Sequence, residues 1–218
     1  MSNLQATGSF YGFIYFKGEG LSNGKFNQAP ETGSGPSKTA VVVTPAPTVS
    51  NTNSPVSRNV VNGGRPVLTS TFRTEGLRDP FIIRDPSGSK FYVIAMDLKI
   101  FGGAVSWDQA GRQGSLSLVI WDLKTWSAQR LVKGFSRHGT HTAGMTWAPE
   151  AWDPTIKKFV MYWTSNLYAV SDTIHTGTTY PHIMFATTTN FVTLSTAQVW
   201  IDPGVSIIDT IVAFDPLQ

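Results

Sequence analysis

The 218-residue chain contains no cysteine. That excludes disulfides, thiol nucleophiles and cysteine-based metal sites, and leaves the compartment open. Charge is also scarce, with 14% of residues Asp, Glu, Lys or Arg against about a quarter in ordinary globular proteins. The 17 basic and 14 acidic side chains form no basic block or helix, which argues against a nucleic-acid partner. No apolar run approaches the roughly 18 residues of a membrane helix, and Met1 to Thr7 lacks the charged start and apolar stretch of a signal peptide. As written, the sequence is expected neither to enter a secretory route nor to span a membrane. Capped helical periodicity is nearly absent, residues 107–112 being a candidate for one short turn.

What remains is rich in aromatic and β-branched residues. With 41% hydrophobic and 12% aromatic residues, the chain can bury a substantial core. Few charges among many Trp, Tyr and Phe fit an all-β protein whose aromatics fill the core and line a groove; sugar C–H faces pack well on such rings. Strands are expected at Phe10-Tyr11-Gly12-Phe13-Ile14-Tyr15-Phe16 and at 81–84, 91–96, 116–121, 150–152, 159–164 and 182–187. Residues 1–27 read as N-terminal strands and residues 63–218 as the main body. Between them, residues 28–62 are dense in Pro, Ser, Thr, Gly and Asn, with Ala40-Val41-Val42-Val43 the one apolar island. Such a segment buries too little apolar surface to offset its ordering entropy and reads as an irregular insert.

The main body repeats itself. Lys90-Phe91-Tyr92-Val93-Ile94-Ala95 returns as Lys158-Phe159-Val160-Met161-Tyr162-Trp163, and the closing phrase at 122–127 returns at 189–195. A period of roughly 60 to 70 residues points to propeller blades rather than one sandwich. An acid introduces each unit: Arg78-Asp79-Pro80-Phe81, Trp147-Ala148-Pro149-Glu150-Ala151-Trp152 and Ile208-Asp209-Thr210-Ile211. Glycoside hydrolysis needs one carboxylic acid to protonate the leaving oxygen and a second carboxylate to activate water or attack the sugar. Acids so far apart in sequence meet this demand where successive sheets converge on one axis. Each has an ordinary alternative, since Asp before Pro commonly starts a turn and Glu150 could pair with Arg78 or Arg84.

At these residues the chain resembles glycoside hydrolase family 43, the five-bladed β-propeller glycosidases acting on arabinosyl and xylosyl linkages. The phrases that carry the resemblance are Gly76-Leu77-Arg78-Asp79-Pro80-Phe81-Ile82-Ile83-Arg84, Lys90 through Leu98, Trp147-Ala148-Pro149-Glu150-Ala151, and Trp200-Ile201-Asp202-Pro203-Gly204-Val205-Ser206-Ile207-Ile208-Asp209-Thr210. The resemblance implies an all-β, incomplete five-bladed propeller with about two complete blades plus N-terminal strands. It implies Asp79 as general base of an inverting reaction and Asp209 as the carboxylate that raises the pKa of the acid. Glu150, Trp147, Asp97 and Arg78 are expected to contact the sugar. The substrate implied is an arabinosyl- or xylosyl-containing oligo- or polysaccharide of plant origin, met outside the cell, with no metal and no cofactor.

The family's general acid is a Glu in a Glu-Gly-Pro-like phrase, and no Glu follows Glu150. The expectation is a fragment that is inactive as it stands. Two alternatives follow: a non-catalytic carbohydrate-binding propeller, and a fructan or sucrose hydrolase of the related five-bladed clan. The latter lacks its Asn-Asp-Pro and Glu-Cys phrases here. The pair His138 and His141 lacks a third ligand at metal-site spacing and reads as a solvated loop.

Overall fold

A computed structural model of the chain describes residues 12–16, 41–45, 70–74, 76–85, 91–99, 106–113, 117–122, 127–133, 137–138, 140–152 and 157–213. Among these residues it is all-β, with a single seven-residue helix.

The first large sheet is a four-stranded antiparallel meander in chain order: β3 (Leu77–Arg84), β4 (Phe91–Asp97), β5 (Ser117–Asp122) and β6 (Arg130–Lys133). β4 is buried along nearly its whole length, so it reads as a continuous apolar run without alternation, as a strand covered on both faces should. At the entrance to β3 the chain passes very close to the end of β4. Leu98 N–H donates to the Gly76 carbonyl at 3.0 Å, and a Cβ on Gly76 would stand 2.6 Å from the Leu98 carbonyl oxygen. Only glycine fits there.

The second sheet repeats this plan with β9 (Trp147–Trp152), β10 (Phe159–Ala169), β11 (Pro181–Thr188) and β12 (Gln198–Ile201). β10 is long enough to serve two partners in succession. Its first half pairs with β9, and its last residues pair with β8 (His141–Ala143), the second arm of a hairpin begun by β7 (Arg137–His138). The register pairs His138 with His141 across that hairpin, so these two residues, read as part of a solvated loop, lie in paired strand, with Thr140 in the turn.

The core lies between the two sheets. Tyr92 and Ile94 from β4 meet Ala151, Phe159, Met161, Trp163, Met184 and Ala186 from the second sheet. Tyr92, Phe159 and Phe191 form an aromatic triangle with centroid separations of 4.6 to 5.7 Å. Phe191 belongs to the closing phrase rather than to a strand. The Thr188 hydroxyl accepts its N–H at 2.9 Å, and the Asn190 carboxamide accepts that of Val192 at 2.8 Å, turning the chain so that Phe191 is fully buried. The first strands of the two sheets, β3 and β9, pack side by side.

The helix α1 (Trp107–Gln113) follows β4. Ser106 caps it reciprocally: its hydroxyl accepts the Gln109 N–H at 3.3 Å, and the Gln109 side chain accepts the Ser106 N–H at 2.9 Å. Asp108 and Arg112, one turn apart, make an ion pair at 3.0 Å.

In the segment expected to be irregular, the apolar island forms the strand β2 (Val41–Pro45), antiparallel to β1 (Gly12–Phe16). A neighbouring strand supplies the pairing that the island cannot find in its own composition. The rest of 28–62 lies outside the described residues, as do 123–126 of the first closing phrase.

Candidate functional site

The first two acidic phrases sit on β-bulges of the same construction. In β3, Arg78 pairs with Met96 and Phe81 with Ile94, leaving Asp79 and Pro80 opposite one residue. In β9, Trp147 pairs with Thr164 and Glu150 with Tyr162, leaving Ala148 and Pro149 opposite one residue. Pro cannot donate to a ladder and is tolerated where the ladder is interrupted. The residue before each Pro is left-handed, with φ of 46° at Asp79 and 45° at Ala148. Asp209 in the third phrase has the same handedness, φ 56°. Asp79 and Asp209 are both solvent-exposed.

This construction fixes which residues are equivalent. Asp79 corresponds to Ala148, and Glu150 corresponds to Phe81. The acids of the first two phrases therefore occupy different positions on their strands.

Glu150 is half-buried, and its carboxylate accepts the Tyr162 phenol at 2.7 Å. Its partner is thus the residue opposite it in the ladder, not Arg78 or Arg84. The same phenol oxygen accepts the Val212 N–H at 3.3 Å, so Tyr162 joins Glu150 to the segment that carries Asp209. Burial, and then the neighbouring carboxylate, push the Tyr162 hydroxyl far above its ordinary pKa; it stays protonated and keeps donating. Trp200 packs edge-on against Tyr162 with centroids 5.5 Å apart.

Asp97, expected among the sugar contacts, has a different task. It is 1% exposed, and its Oδ1 accepts the Thr74 N–H at 3.2 Å and the Thr74 hydroxyl at 2.5 Å. Arg73 approaches the other oxygen at 3.9 Å. Burial raises its pKa, and the Thr74 bonds and Arg73 only partly offset that. The carboxylate clasps the chain that leads into β3. A period-two reading of β4 could not reveal this, because its partner is a loop residue.

Arg78 and Trp147 meet through Trp107, which the sequence marked as the start of a short turn. The Arg78 guanidinium lies over the Trp107 ring at 4.5 Å, and Trp107 meets Trp147 edge-on at 5.7 Å. Both tryptophans line a cavity of about 510 Å³ between α1, the start of β9, the end of β10 and the 170–181 loop. Its walls include Arg112, Asn166 and Tyr168 but none of Asp79, Glu150 or Asp209. The structure thus sets Arg78, Trp107 and Trp147 in one aromatic corner. It places β3, which carries Asp79, beside β9, which carries Glu150, and ties Glu150 to the Asp209 segment through Tyr162.

Chemically, the region offers exposed carboxylates that can accept hydroxyl protons or activate water, beside aromatic faces suited to C–H surfaces. Among the described residues no three His, Asp or Glu side chains gather as metal ligands would. Tyr162, Tyr168 and Arg112 were not legible as site residues. Only the lysine-led repeat phrase containing Tyr162 marked its strand.

Among the described residues the chain is all-β, with two sheets of one plan that each open on an interrupted, acid-bearing phrase. The family follows directly. Residues 45–215 match the glycosyl hydrolase 43-related model described as "Probable glycosyl hydrolase domain", and the chain belongs to that family. An "Alpha-L-arabinofuranosidase" of Bifidobacterium longum subsp. longum is 35% identical, over 69% of this chain and 15% of the relative. The chain therefore spans about 15% of the length of the curated relative it matches. A crystal structure of an N-acetylgalactosamine deacetylase from F. plautii, in complex with blood group B trisaccharide, aligns over 85% of this chain and 51% of that one. Its TM-score is 0.46 at 15% identity, a likeness too distant to bear on fold or function.

Proposed function

We propose that the two meanders are adjacent blades of a five-bladed β-propeller, and that the chain serves the hydrolysis of arabinosyl or xylosyl linkages in an extracellular plant polysaccharide, with inversion. The observation that carries this reading is the paired bulge: two neighbouring sheets begin on the same interrupted strand, side by side, one presenting the exposed Asp79. First strands that abut at one end of successive meanders are what a propeller axis requires. Membership of the glycosyl hydrolase 43-related family and the arabinofuranosidase relative support the substrate class.

In this reading Asp79 is the general base and draws a proton from the water that attacks the anomeric carbon. Asp209 holds up the pKa of the general acid by like-charge repulsion. Glu150 accepts from sugar hydroxyls with the oxygen that Tyr162 leaves available, and Arg78 and Trp147 bound the sugar beside it. No Glu follows Glu150 in this sequence, and no residue here is assigned as the acid. General acid assistance contributes about 10²- to 10⁴-fold and matters least for the best leaving groups.

The test exploits that difference. Dinitrophenyl α-L-arabinofuranoside and β-D-xyloside depart without protonation, so the unaltered chain should hydrolyse one of them, and Asp79→Asn should lower that rate by at least about 10²-fold with folding intact by circular dichroism. The first product seen by NMR should carry inverted anomeric configuration. Near wild-type rates for Asp79→Asn, or no hydrolysis of either compound by the unaltered chain, would overturn the enzymatic reading. The aromatic corner of Trp107 and Trp147, whose cavity is lined by none of the three acids, favours one second reading, a domain that binds the same polysaccharide without cleaving it. Sugar binding without aryl glycoside hydrolysis would select it.

A further inference from the structure

The cavity behind Trp107 and Trp147 is not absorbed by the carboxylate chemistry, and its construction is specific. About 510 Å³ is within the usual range for small-molecule sites, roughly 300 to 1,000 Å³. Trp107 and Trp147 stand at 83° to each other and make a corner, with Tyr168 as a further aromatic wall. Trp107 is 39% exposed, so part of its ring is open to a ligand.

The walls are already fixed. Arg112 donates to Asp108 and, at 3.1 Å, to the His175 carbonyl. His175 stacks on Tyr168 with ring centroids 4.4 Å apart. Its Nδ1 donates back to the Arg112 carbonyl, which can only accept, so its Nε2 receives the Thr142 hydroxyl at 2.9 Å. In the 170–181 loop, the Asp172 carboxylate accepts the N–H groups of Gly177 at 2.7 Å and Thr176 at 3.1 Å. Thr179 donates to the Leu167 carbonyl at 2.7 Å. A ligand entering here finds its wall built and orders little on arrival.

We propose that this cavity is a second sugar subsite, holding a neutral pentose ring of the same polysaccharide apart from the ring at the carboxylates; this rests on the carbohydrate reading above. Aromatic faces match the C–H surface of a sugar ring, while the polar wall of Asn166, Thr176 and Thr178 matches its hydroxyls. Neutrality follows from charge. The Arg112 guanidinium is compensated by Asp108 at 3.0 Å, so the cavity offers no unbalanced cation to a uronic acid. Position supplies the link to the carboxylates. Trp107 also carries Arg78 on its face, the neighbour of Asp79, and Trp147 begins the strand that contains Glu150. A chain of sugars crossing this corner meets both places.

The experiment is isothermal titration of the full chain with xylohexaose, arabinohexaose and a glucuronate-bearing xylo-oligosaccharide, for the unaltered protein, Trp107→Ala and Trp107→Phe. One neutral hexaose should bind, Trp107→Ala should weaken it about tenfold, and Trp107→Phe should keep most of the affinity, with unchanged circular dichroism throughout. The charged oligosaccharide should bind no more tightly than its neutral counterpart. Affinity indifferent to Trp107, failure of every oligosaccharide to bind, or a tenfold preference for the uronate would overturn the proposal. Trp107-dependent binding with no aryl glycoside hydrolysis would leave the subsite standing and remove the glycosidase reading. Asp79-dependent hydrolysis with Trp107-independent binding would do the reverse.

Discussion

The two meanders are built on one frame and furnished differently. Both begin with a two-residue bulge on a Pro, both bury their second strand, and both contribute to a single core. In the first sheet the left-handed residue of the bulge is Asp79, and the next ladder pair is apolar, Phe81 opposite Ile94. In the second sheet the left-handed residue is Ala148, and the corresponding pair is polar, Glu150 opposite Tyr162. The frame sets where backbone ends and strands meet. The side chains placed on it decide whether the bulge carries an exposed carboxylate or the rung beyond it holds one against a phenol.

The largest expected effect tests whether the frame is shared. Phe191→Ala empties a fully buried position between Tyr92 of one sheet and Phe159 of the other. A loss of about 3–5 kcal/mol is expected, read by urea denaturation as one transition shifted to lower denaturant. Two separate transitions would mean that the sheets do not depend on one core.

Next comes the Glu150–Tyr162 rung of the second sheet. Tyr162→Phe removes the hydrogen bond to Glu150 and the acceptor of the Val212 N–H. A loss of about 1.5–3 kcal/mol is expected for a bond to a charged group, whereas Ile94→Leu, the matching site in the first sheet, should lose less than about 1.5 kcal/mol. The phenol also predicts a pH dependence. Its folded pKa is raised, so its contribution is complete below the unfolded tyrosine value near 10 and is lost as pH rises from there through the folded value. Ultraviolet titration should show this tyrosine ionising after the others, and the delayed component should vanish in Tyr162→Phe.

A smaller effect separates the two bulges themselves. A left-handed backbone costs an ordinary L-residue about 1–2 kcal/mol, while glycine adopts it freely but gives back about 0.4–1 kcal/mol through the unfolded chain. Ala148→Gly should therefore stabilise by about 0.5–1 kcal/mol. Asp79→Gly should gain less, because Asp tolerates this conformation. Thermal unfolding of both variants decides it, and a larger gain at 79 than at 148 would invert the comparison.

The smallest effect concerns the loop that only the second sheet uses as a cavity wall. The N–H groups of Gly177 and Thr176 hold the Asp172 carboxyl below its ordinary pKa. Its clamp is complete above the unfolded aspartate value and is lost as pH falls through the lower folded one. Amide exchange at Thr176 and Gly177 should rise at that acidic limit and should already be fast in Asp172→Ala at neutral pH.

Much of the frame was legible because it is local. The 91–96, 159–164 and 182–187 expectations match β4, β10 and β11 closely, since runs of Val, Ile, Phe, Tyr and Met bounded by turn residues carry their own signal. The short helix was marked at 107–112. The relation between the acids was not legible. A bulge adds one residue to a strand without altering its composition, so Asp79 and Glu150 looked alike in the sequence and proved to stand two positions apart on the frame. The cavity was hidden for another reason. Arg112 and His175 meet across 63 residues, and the 170–181 loop has no periodicity that would announce which helix it packs against. Asp97 lies in a phrase of the family resemblance, yet its partner Thr74 precedes the strand and belongs to none of the quoted phrases.

The bulge has a consequence for how such a protein can change. A residue in a regular ladder is bound by the alternation of its strand, and exchanging it disturbs a partner across the sheet. The extra residue of a bulge stands outside the ladder register, so exchanging it leaves the strand pairing intact. Position 148 is then an empty socket of the same make as position 79. A carboxylate installed as Ala148→Asp would stand on the neighbouring strand in the same left-handed bulge setting as Asp79. Repetition of sheets in this chain is thus also repetition of places where function can be lost, kept or newly written.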